Sequence, residues 1–222
     1  LKQLYTLSMT TLYTNRSIFL LEVIAYASDA LDKIRFLDLT KPQNPRNKDG
    51  ESPSMDIRIR ADKSARTLTI TDGGIGMTKD DLISALGSLG SSGKKNLMES
   101  MQGVFLVAGN VKVAKKHEDS DLQWIWKRTA AGAYELYEDP RGNTLGRGTE
   151  ITLELKKDAD EYLDPEKLQE IVGQHSEFIR FPIYVQTTKT EEVPVDQPDK
   201  DDEDETVAGS GKVVGTGTEN LN

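Results

Sequence analysis

The stretch "TLTITDGGIGMTKDDL", residues 67–82, decides how the chain is organised. Its first five residues alternate threonine with leucine or isoleucine, the period-two pattern typical of a half-buried strand. Three glycines follow within four positions, and the residues beyond Met77 have helical spacing. Asp72 lies where the strand meets the glycines. It either caps a local turn or holds a ligand, and this stretch alone leaves both interpretations open.

The composition indicates one globular core and argues against several kinds of site. Of the 222 residues, 36% are hydrophobic and 29% are charged, which suits a single sizeable domain. The chain has no cysteine and only two histidines, so the sequence indicates neither a disulfide framework nor a histidine metal site. Its net charge of −9 disfavours binding to nucleic acid or to a membrane surface, and we expect neither partner.

Helical and strand patterns are interspersed, and several strands follow one another without a helix between them. This order predicts an α/β two-layer sandwich in which helices cover a mixed, mostly antiparallel sheet. Helices are predicted at 2–14, 17–37, the start of 78–98 and 164–179, and strands at 55–62, 66–72, 103–116, 122–128, 133–139, 148–156 and 181–188. We expect one folded domain over residues 1–190. An acidic flexible linker is expected over 191–222, and its end, "GTGTENLN", need not be native.

The helix at 17–37 carries a stripe of polar side chains on an otherwise apolar surface. Glu22, Tyr26, Asp29 and Lys33 are spaced by four, three and four residues. At about 100° per residue they fall within roughly 60° of one another. The stripe is either the wet face of an amphipathic helix or the wall of a pocket. In the pocket, a carboxylate flanked by leucine, valine and isoleucine would suit a general base.

Two glycine-rich turns flank the strands beside this helix. In "TDGGIGMT", residues 71–78, the glycines permit positive φ and a close approach of the backbone to a ligand. The Asp72 carboxylate can only accept hydrogen bonds when ionised, which suits an amine such as that of adenine. The turn "GRGT", residues 146–149, precedes a strand, and by itself it is equally typical of a hairpin connection.

Taken in order, these motifs resemble the N-terminal ATP-binding domain of the ninety-kilodalton heat-shock chaperone family. The resemblance covers about residues 1–190, and it rests on the segments "SIFLLEVIAYASDALDKIRF", "TDGGIGMT", "GRGTEITLEL" and "GQHSEFIRFPIYV". It implies the Bergerat fold, in which helices on one face of a mixed sheet enclose ATP and a magnesium ion. The phrase "EDPRGNTLGRGTEITL" is most similar to the paralogue of the endoplasmic reticulum lumen.

The resemblance also implies a role for each matching residue. Asp72 would bind the adenine amine, helped through water by Thr149 and Gly76. Met77 would pack against the base, and Glu22 would orient the attacking water. Three further positions match residues that lie near the nucleotide or line its pocket: Asp29, Ala30 and Lys33.

The sequence departs from the family at the phosphate end of the site. Tyr26 stands where the family has an asparagine that ligates magnesium and contacts phosphate, and a neutral phenol is a poor ligand for a hard cation. The family's second glycine-rich loop and its lid should lie between Ser100 and Val104, where only three residues remain. Either the lid has been deleted or its residues are missing from the chain as sequenced.

The function implied is that of a nucleotide-binding domain in a chaperone that binds unfolded proteins and assists folding. Its expected ligands are ATP, ADP and adenine-pocket inhibitors, with magnesium as the family's metal. ATP hydrolysis would drive the cycle of a homodimeric full-length protein that has client proteins and co-chaperones. This chain alone is expected to be a monomer with little or no ATPase activity. Its expected location is the endoplasmic reticulum lumen, with the cytoplasm as the alternative. The competing hypothesis is a catalytically silent module that responds to adenine nucleotides.

Overall fold

The computed structural model describes residues 16–40, 48–87, 103–129, 134–174, 179–192 and 212–220. The helices are α1 (Ile18–Thr40), α2 (Lys79–Gly87), α3 (Val104–Val107) and α4 (Pro165–Gly173), with a 3-10 helix at Lys157–Leu163. The strands are β1 (Ile57–Asp62), β2 (Thr67–Asp72), β3 (Ala108–Lys116), β4 (Trp124–Thr129), β5 (Tyr134–Glu138), β6 (Gly148–Leu155), β7 (Ile183–Glu192) and β8 (Lys212–Asn220). The predicted helix at 2–14 and residues 88–98 lie outside the described part of the chain.

These strands form one eight-stranded sheet in the order β5-β4-β3-β6-β2-β1-β7-β8. All neighbouring strands are antiparallel except β1 and β7, which are parallel. Strands β1 and β2, which were predicted from the sequence, pair with each other. Ile57 lies opposite Asp72 at one end of the pair, and Asp62 lies opposite Thr67 at the other end. The predicted two-layer sandwich with a mixed, mostly antiparallel sheet is therefore confirmed.

Helix α1 supplies the main cover of the sheet. Its buried face includes Leu20, Ile24, Ala27, Leu31 and Ile34, which are spaced by three or four residues as in an amphipathic helix. The ring of Phe19 meets that of Tyr162 in the 3-10 helix edge to face, with centroids 5.0 Å apart. None of the described helices is both long and apolar enough to cross a membrane.

Two elements differ from the sequence predictions. Residues 103–116 were expected to form one strand, but Val104–Val107 is a helical turn and β3 begins at Ala108. A run of apolar residues this short has no periodicity that separates helix from strand. Strand β8 lies within the range 191–222 that was expected to be a linker, and it pairs with β7 along its length. Its glycines and threonines hide the strand pattern, while residues 193–211 lie outside the described chain.

The packing of Phe19 predicts its contribution to stability. Phe19→Ala should lower the free energy of unfolding by about 3–5 kcal/mol, because it leaves a cavity between α1 and the 3-10 helix. Phe36 on the same helix is 68% exposed, so Phe36→Ala should change that free energy by no more than about 0.5 kcal/mol. Urea denaturation of both variants measures the difference. Equal losses would contradict the packing described for α1.

Candidate functional site

The inner face of the sheet ends in a row of polar side chains. The register of β2, β6 and β3 stacks the inward residues in three successive rows across the strands: Leu68, Leu153 and Val111; Ile70, Ile151 and Val113; and Asp72, Thr149 and Lys115. Directly opposed residues of antiparallel strands point to the same face. The third row is as buried as the first two, with exposures of 4%, 0% and 0%. An apolar layer thus ends in a carboxylate, a hydroxyl and an ammonium.

Asp72 is held by the turn that follows it. The N–H of Gly74 donates to Oδ1 of Asp72 at 2.9 Å, which is the local cap that the sequence left open as an interpretation. Burial raises the pKa of Asp72, while the Lys115 ammonium and the Gly74 N–H act to lower it. The Thr149 hydroxyl lies beside the carboxylate and also acts to lower its pKa. This part of the site therefore has a buried carboxylate and a buried hydroxyl side by side.

Lys115 reaches from the third row to helix α1. Its Nζ donates to Oη of Tyr26 at 2.7 Å and lies 4.6 Å from the centre of that ring. Burial lowers the pKa of Lys115, whereas Asp72 raises it. Burial raises the pKa of Tyr26, which keeps the phenol neutral. Lys115 therefore connects Tyr26 on helix α1 to the third row of inward side chains.

Helix α1 also meets the first glycine turn through its backbone. The Ile75 N–H donates to the carbonyl oxygen of Ala30 at 3.1 Å. A Cβ on Gly74 would lie 2.7 Å from the Cβ of Ala30, so only glycine permits this approach. Gly76 has φ +69°, and a Cβ there would overlap the carbonyl oxygen of Lys116 at the end of β3. The turn therefore joins α1 to the edge of the polar row.

Arg147 connects the second glycine turn to the first. Its Nε donates to the carbonyl oxygen of Gly73 at 3.1 Å. The guanidinium, 4% exposed, also lies 3.9 Å from Asp38 and 3.8 Å from Glu118. Next to it, Gly148 has φ +117°, and a Cβ there would overlap the carbonyl oxygen of Asp72. No role was predicted for Arg147 from the sequence, although its position between Gly146 and Gly148 is a usable signal.

The remaining predicted residues lie around this centre. Glu22 is half-buried at the other end of the stripe, with Oε2 shielded from solvent and close to Gly103. Asp29 and Lys33 are exposed, and Lys33 lines a shallow cavity of about 430 Å³ beside α1. Met77 is half-buried and packs against the hydrophobic core. In this stripe Glu22 and Tyr26 are half-buried, whereas Asp29 and Lys33 are exposed to solvent. The pocket interpretation therefore suits the first half of the stripe, and the solvent-facing interpretation suits the second half.

The structure brings five of the predicted residues together around the glycine turn. They are Tyr26, Ala30, Asp72, Gly76 and Thr149. Lys115 completes this group, and it was not among the residues predicted from the sequence. The sequence does contain a pattern that indicates it. Val111, Val113 and Lys115 occupy alternate positions of one strand, so their side chains face the same side of the sheet. A lysine that continues an inward apolar series calls for a specific partner.

The surroundings of Tyr26 do not fit a magnesium ion. Its phenol oxygen already accepts a hydrogen bond from an ammonium group, which would repel a divalent cation at the same oxygen. Within the described ranges, no three or more histidine, aspartate or glutamate side chains are grouped closely enough to hold a metal. The doubt that the sequence raised about Tyr26 as a ligand is therefore strengthened by its contacts.

The sequence of this chain is similar to those of a known protein family. A family profile described as "Hsp90 protein" matches residues 161–220. An endoplasmin homolog of Leishmania donovani is 50% identical over 200 residues, covering 80% of this chain and 26% of that protein. An endoplasmin homolog of Catharanthus roseus is 44% identical, covering 87% and 25%. A protein named "Heat shock protein 90-6, mitochondrial" from Arabidopsis thaliana is 38% identical, covering 87% and 27%. The chain spans about a quarter of the length of these relatives.

The contact between the two glycine turns predicts a specific loss of stability. Gly148→Ala should lower the free energy of unfolding by more than about 2 kcal/mol, because it adds both backbone strain and an overlap with the Asp72 carbonyl. Gly142 also has positive φ, at +74°, but nothing lies within 4 Å of its added Cβ. Gly142→Ala therefore adds backbone strain without an overlap, and it should lower the free energy of unfolding by only about 1 kcal/mol. Thermal and urea unfolding compare the two, and equal costs would exclude the close approach.

Proposed function

We propose that this chain, which belongs to the Hsp90 family as an endoplasmin-like N-terminal domain, binds ATP and ADP at the site around Asp72. The observation that carries the proposal is the buried carboxylate of Asp72 next to the buried hydroxyl of Thr149. A turn needs a cap for its carboxylate, but it does not need a second fully buried polar side chain beside that carboxylate. A carboxylate and a hydroxyl side by side suit the amine and ring nitrogens of adenine.

Each neighbouring residue has a defined part in this proposal. Ala30 and Gly74 are in close contact and would present a flat wall to the base. Met77 would pack on the base from the adjoining turn, as its half-buried side chain permits. Gly76 would help Thr149 and Asp72 to hold a bridging water. Asp29 and Lys33, at the exposed end of the stripe, would face the sugar and phosphates.

Hydrolysis belongs in this proposal to the full-length protein, because the chain spans only about a quarter of its relatives. There, Glu22 would polarise a water for in-line attack on the terminal phosphate. A carboxylate shielded from solvent holds such a water in a fixed orientation. Among the described residues, Lys33 is the one cation that this proposal assigns to the phosphate charge, so we expect very slow turnover from this chain alone.

The names of the relatives support a cellular role for the whole protein. Several are endoplasmin homologs, so we place the protein in the endoplasmic reticulum lumen, as a chaperone that assists the folding of client proteins. One relative is named mitochondrial, and a fluorescent fusion of the full-length protein would separate these locations. Homodimer formation and co-chaperone binding are proposed for the full-length protein.

Replacing the central carboxylate tests the binding site directly. Asp72→Asn should weaken the binding of ADP and of an adenine-pocket inhibitor by about 10- to 100-fold, because it removes a charge-assisted hydrogen bond worth about 1.5–3 kcal/mol. Titration calorimetry provides the measurement. Asp62→Asn, at the far end of the same strand pair, is the matched control and should leave both affinities unchanged. Unchanged affinity in folded Asp72→Asn would remove adenine recognition from Asp72.

A second candidate function is a catalytically silent module that responds to adenine nucleotides. The observation that favours it is the hydrogen bond from Lys115 to Tyr26, which occupies the oxygen at the family's metal position. Such a module would bind the base without using the metal. It would differ from its relatives in turnover and agree with them in ligand class.

Magnesium dependence separates the two candidates. If Tyr26 holds no metal, ADP should bind with the same affinity, within about twofold, in magnesium chloride and in EDTA. Calorimetry of wild-type chain in the two buffers gives the comparison, with the metal-free binding of an adenine-pocket inhibitor as the control. A magnesium-dependent gain of tenfold or more would show that a metal binds after all, and would favour the hydrolytic function.

A further inference from the structure

Asp72 is followed by two consecutive glycines, and the packing around them requires both. A Cβ on Gly73 would overlap the carbonyl oxygen of Ser54, and one on Gly74 would lie 2.7 Å from the Cβ of Ala30. Only glycine tolerates these approaches, but glycine also leaves its backbone dihedrals weakly restricted. The peptide unit between Gly73 and Gly74 can therefore rotate unless other groups hold it.

That peptide unit is held at both of its ends. Its N–H, which belongs to Gly74, donates to Oδ1 of Asp72 at 2.9 Å. Its carbonyl oxygen, which belongs to Gly73, accepts a hydrogen bond from Nε of Arg147 at 3.1 Å. Rotation of the unit by half a turn would break both bonds and bring the carbonyl oxygen toward the carboxylate, where two acceptors would face each other. Arg147 thus acts on the same peptide unit that caps Asp72.

The guanidinium of Arg147 is itself held by several elements. Its Nη1 lies 3.9 Å from Asp38 in the last turn of helix α1 and 3.8 Å from Glu118 beyond strand β3. Its Nη2 lies 3.8 Å from Sδ of Met55, which precedes β1. Because the guanidinium is planar and rigid, holding its outer nitrogens also sets the direction in which the Nε–H points. The donor to the peptide unit is therefore fixed in advance.

Stabilising the fold alone would not require this arrangement. A buried charge costs free energy unless it is paired and hydrogen-bonded, and Arg147 is only 4% exposed. An apolar side chain at this position could fill the space between the two glycine turns without that cost. It could not, however, donate a hydrogen bond to the carbonyl oxygen of Gly73.

We propose that Arg147 is a positioning residue for adenine recognition, because its hydrogen bond to the Gly73 carbonyl fixes the peptide unit that orients the Asp72 carboxylate. This inference rests on the proposed function and adds to it a residue that acts through another. Without the bond, the peptide unit samples orientations in which Gly74 no longer donates to Asp72. The carboxylate then has to be ordered when a ligand binds, which weakens the affinity.

Amide hydrogen exchange, followed by NMR on the ligand-free chain, tests the held peptide unit without any ligand. In wild type, the Gly74 N–H should exchange more slowly than in an unstructured peptide of the same sequence, because Asp72 accepts its hydrogen bond. Arg147→Lys keeps a cation near Asp38 and Glu118 but has no Nε–H. It should speed this exchange about fivefold, the factor expected for one lost hydrogen bond.

Calorimetry with ADP in EDTA separates positioning from stabilisation of the fold. Arg147→Lys should weaken ADP binding about fivefold in the wild-type background but less than about twofold in the Asp72→Asn background, where the carboxylate it orients is gone. A residue that only stabilises the fold would weaken binding by the same factor in both backgrounds.

Arg66→Lys is the matched control. Arg66 also donates to a backbone carbonyl, that of Lys156, and also pairs with an aspartate, Asp160. It precedes β2 at the end of the strand that is far from Asp72. Both the Gly74 exchange rate and the ADP affinity of Arg66→Lys should therefore match those of wild type.

The outcomes distinguish this inference from the proposed function. If wild type binds ADP and folded Arg147→Lys changes neither the Gly74 exchange rate nor the affinity, the positioning role is overturned while nucleotide binding stands. Equal losses of affinity in the two backgrounds overturn it as well. If wild type does not bind ADP, the proposed function fails, and the role in adenine recognition fails with it. Should Arg147→Lys not fold, Glu118→Gln decides, since it removes one of the charges that hold the guanidinium, and an unchanged Gly74 exchange rate in that variant contradicts the inference.

Discussion

The antiparallel register that sets Asp72, Thr149 and Lys115 side by side is the constraint on which the site depends. A shift of one residue in any of the three strands would turn its polar member to the other face and replace it with a neighbour. The two apolar rows before it hold this register, because they bury leucine, isoleucine and valine against α1. The hydrophobic core thus fixes the position of this polar row, and the row itself contributes little to the stability of the fold.

The two glycine turns belong to the same constraint. Gly148 brings the start of β6 against the backbone of Asp72, and Gly74 brings the first turn against Ala30 of α1. Arg147 then joins one turn to the other through the Gly73 carbonyl. These contacts are close enough to exclude a Cβ, so the carboxylate is held by backbone rather than by mobile side chains. A ligand-recognition group held in this way needs little reorganisation on binding.

The two ends of the site differ in how well they are equipped. The end at Asp72 has a carboxylate and a buried hydroxyl in one row, whereas the phenol of Tyr26 already accepts a hydrogen bond from an ammonium. Buried charged groups that oppose the apolar pattern around them are found where function outweighs local stability. The endoplasmin homologs give the family of this chain, and the hydrogen bond between Lys115 and Tyr26 is a feature of its own structure.

Most of the fold and part of the site could be predicted from the sequence, because both rest on local patterns. The period of two in β1 and β2, the amphipathic spacing of α1 and the glycines after Asp72 are properties of neighbouring residues. The motifs carried the family resemblance in the same way. Helical turn α3 and strand β8 were missed because their residues show no such period.

The hydrogen bond of Lys115 to Tyr26, and its place in one row with Asp72, were decided only by the tertiary structure. Its parity on β3 indicates an inward lysine, but it does not say which strand lies next to β3 or which helix covers it. Those partners are 89 and 43 positions away in sequence, and only the strand order β3-β6-β2 under α1 brings them together. Sequence determines which side chains are available to a site. The register and packing of distant elements determine which of them meet, because contact energies act through space and not along the chain.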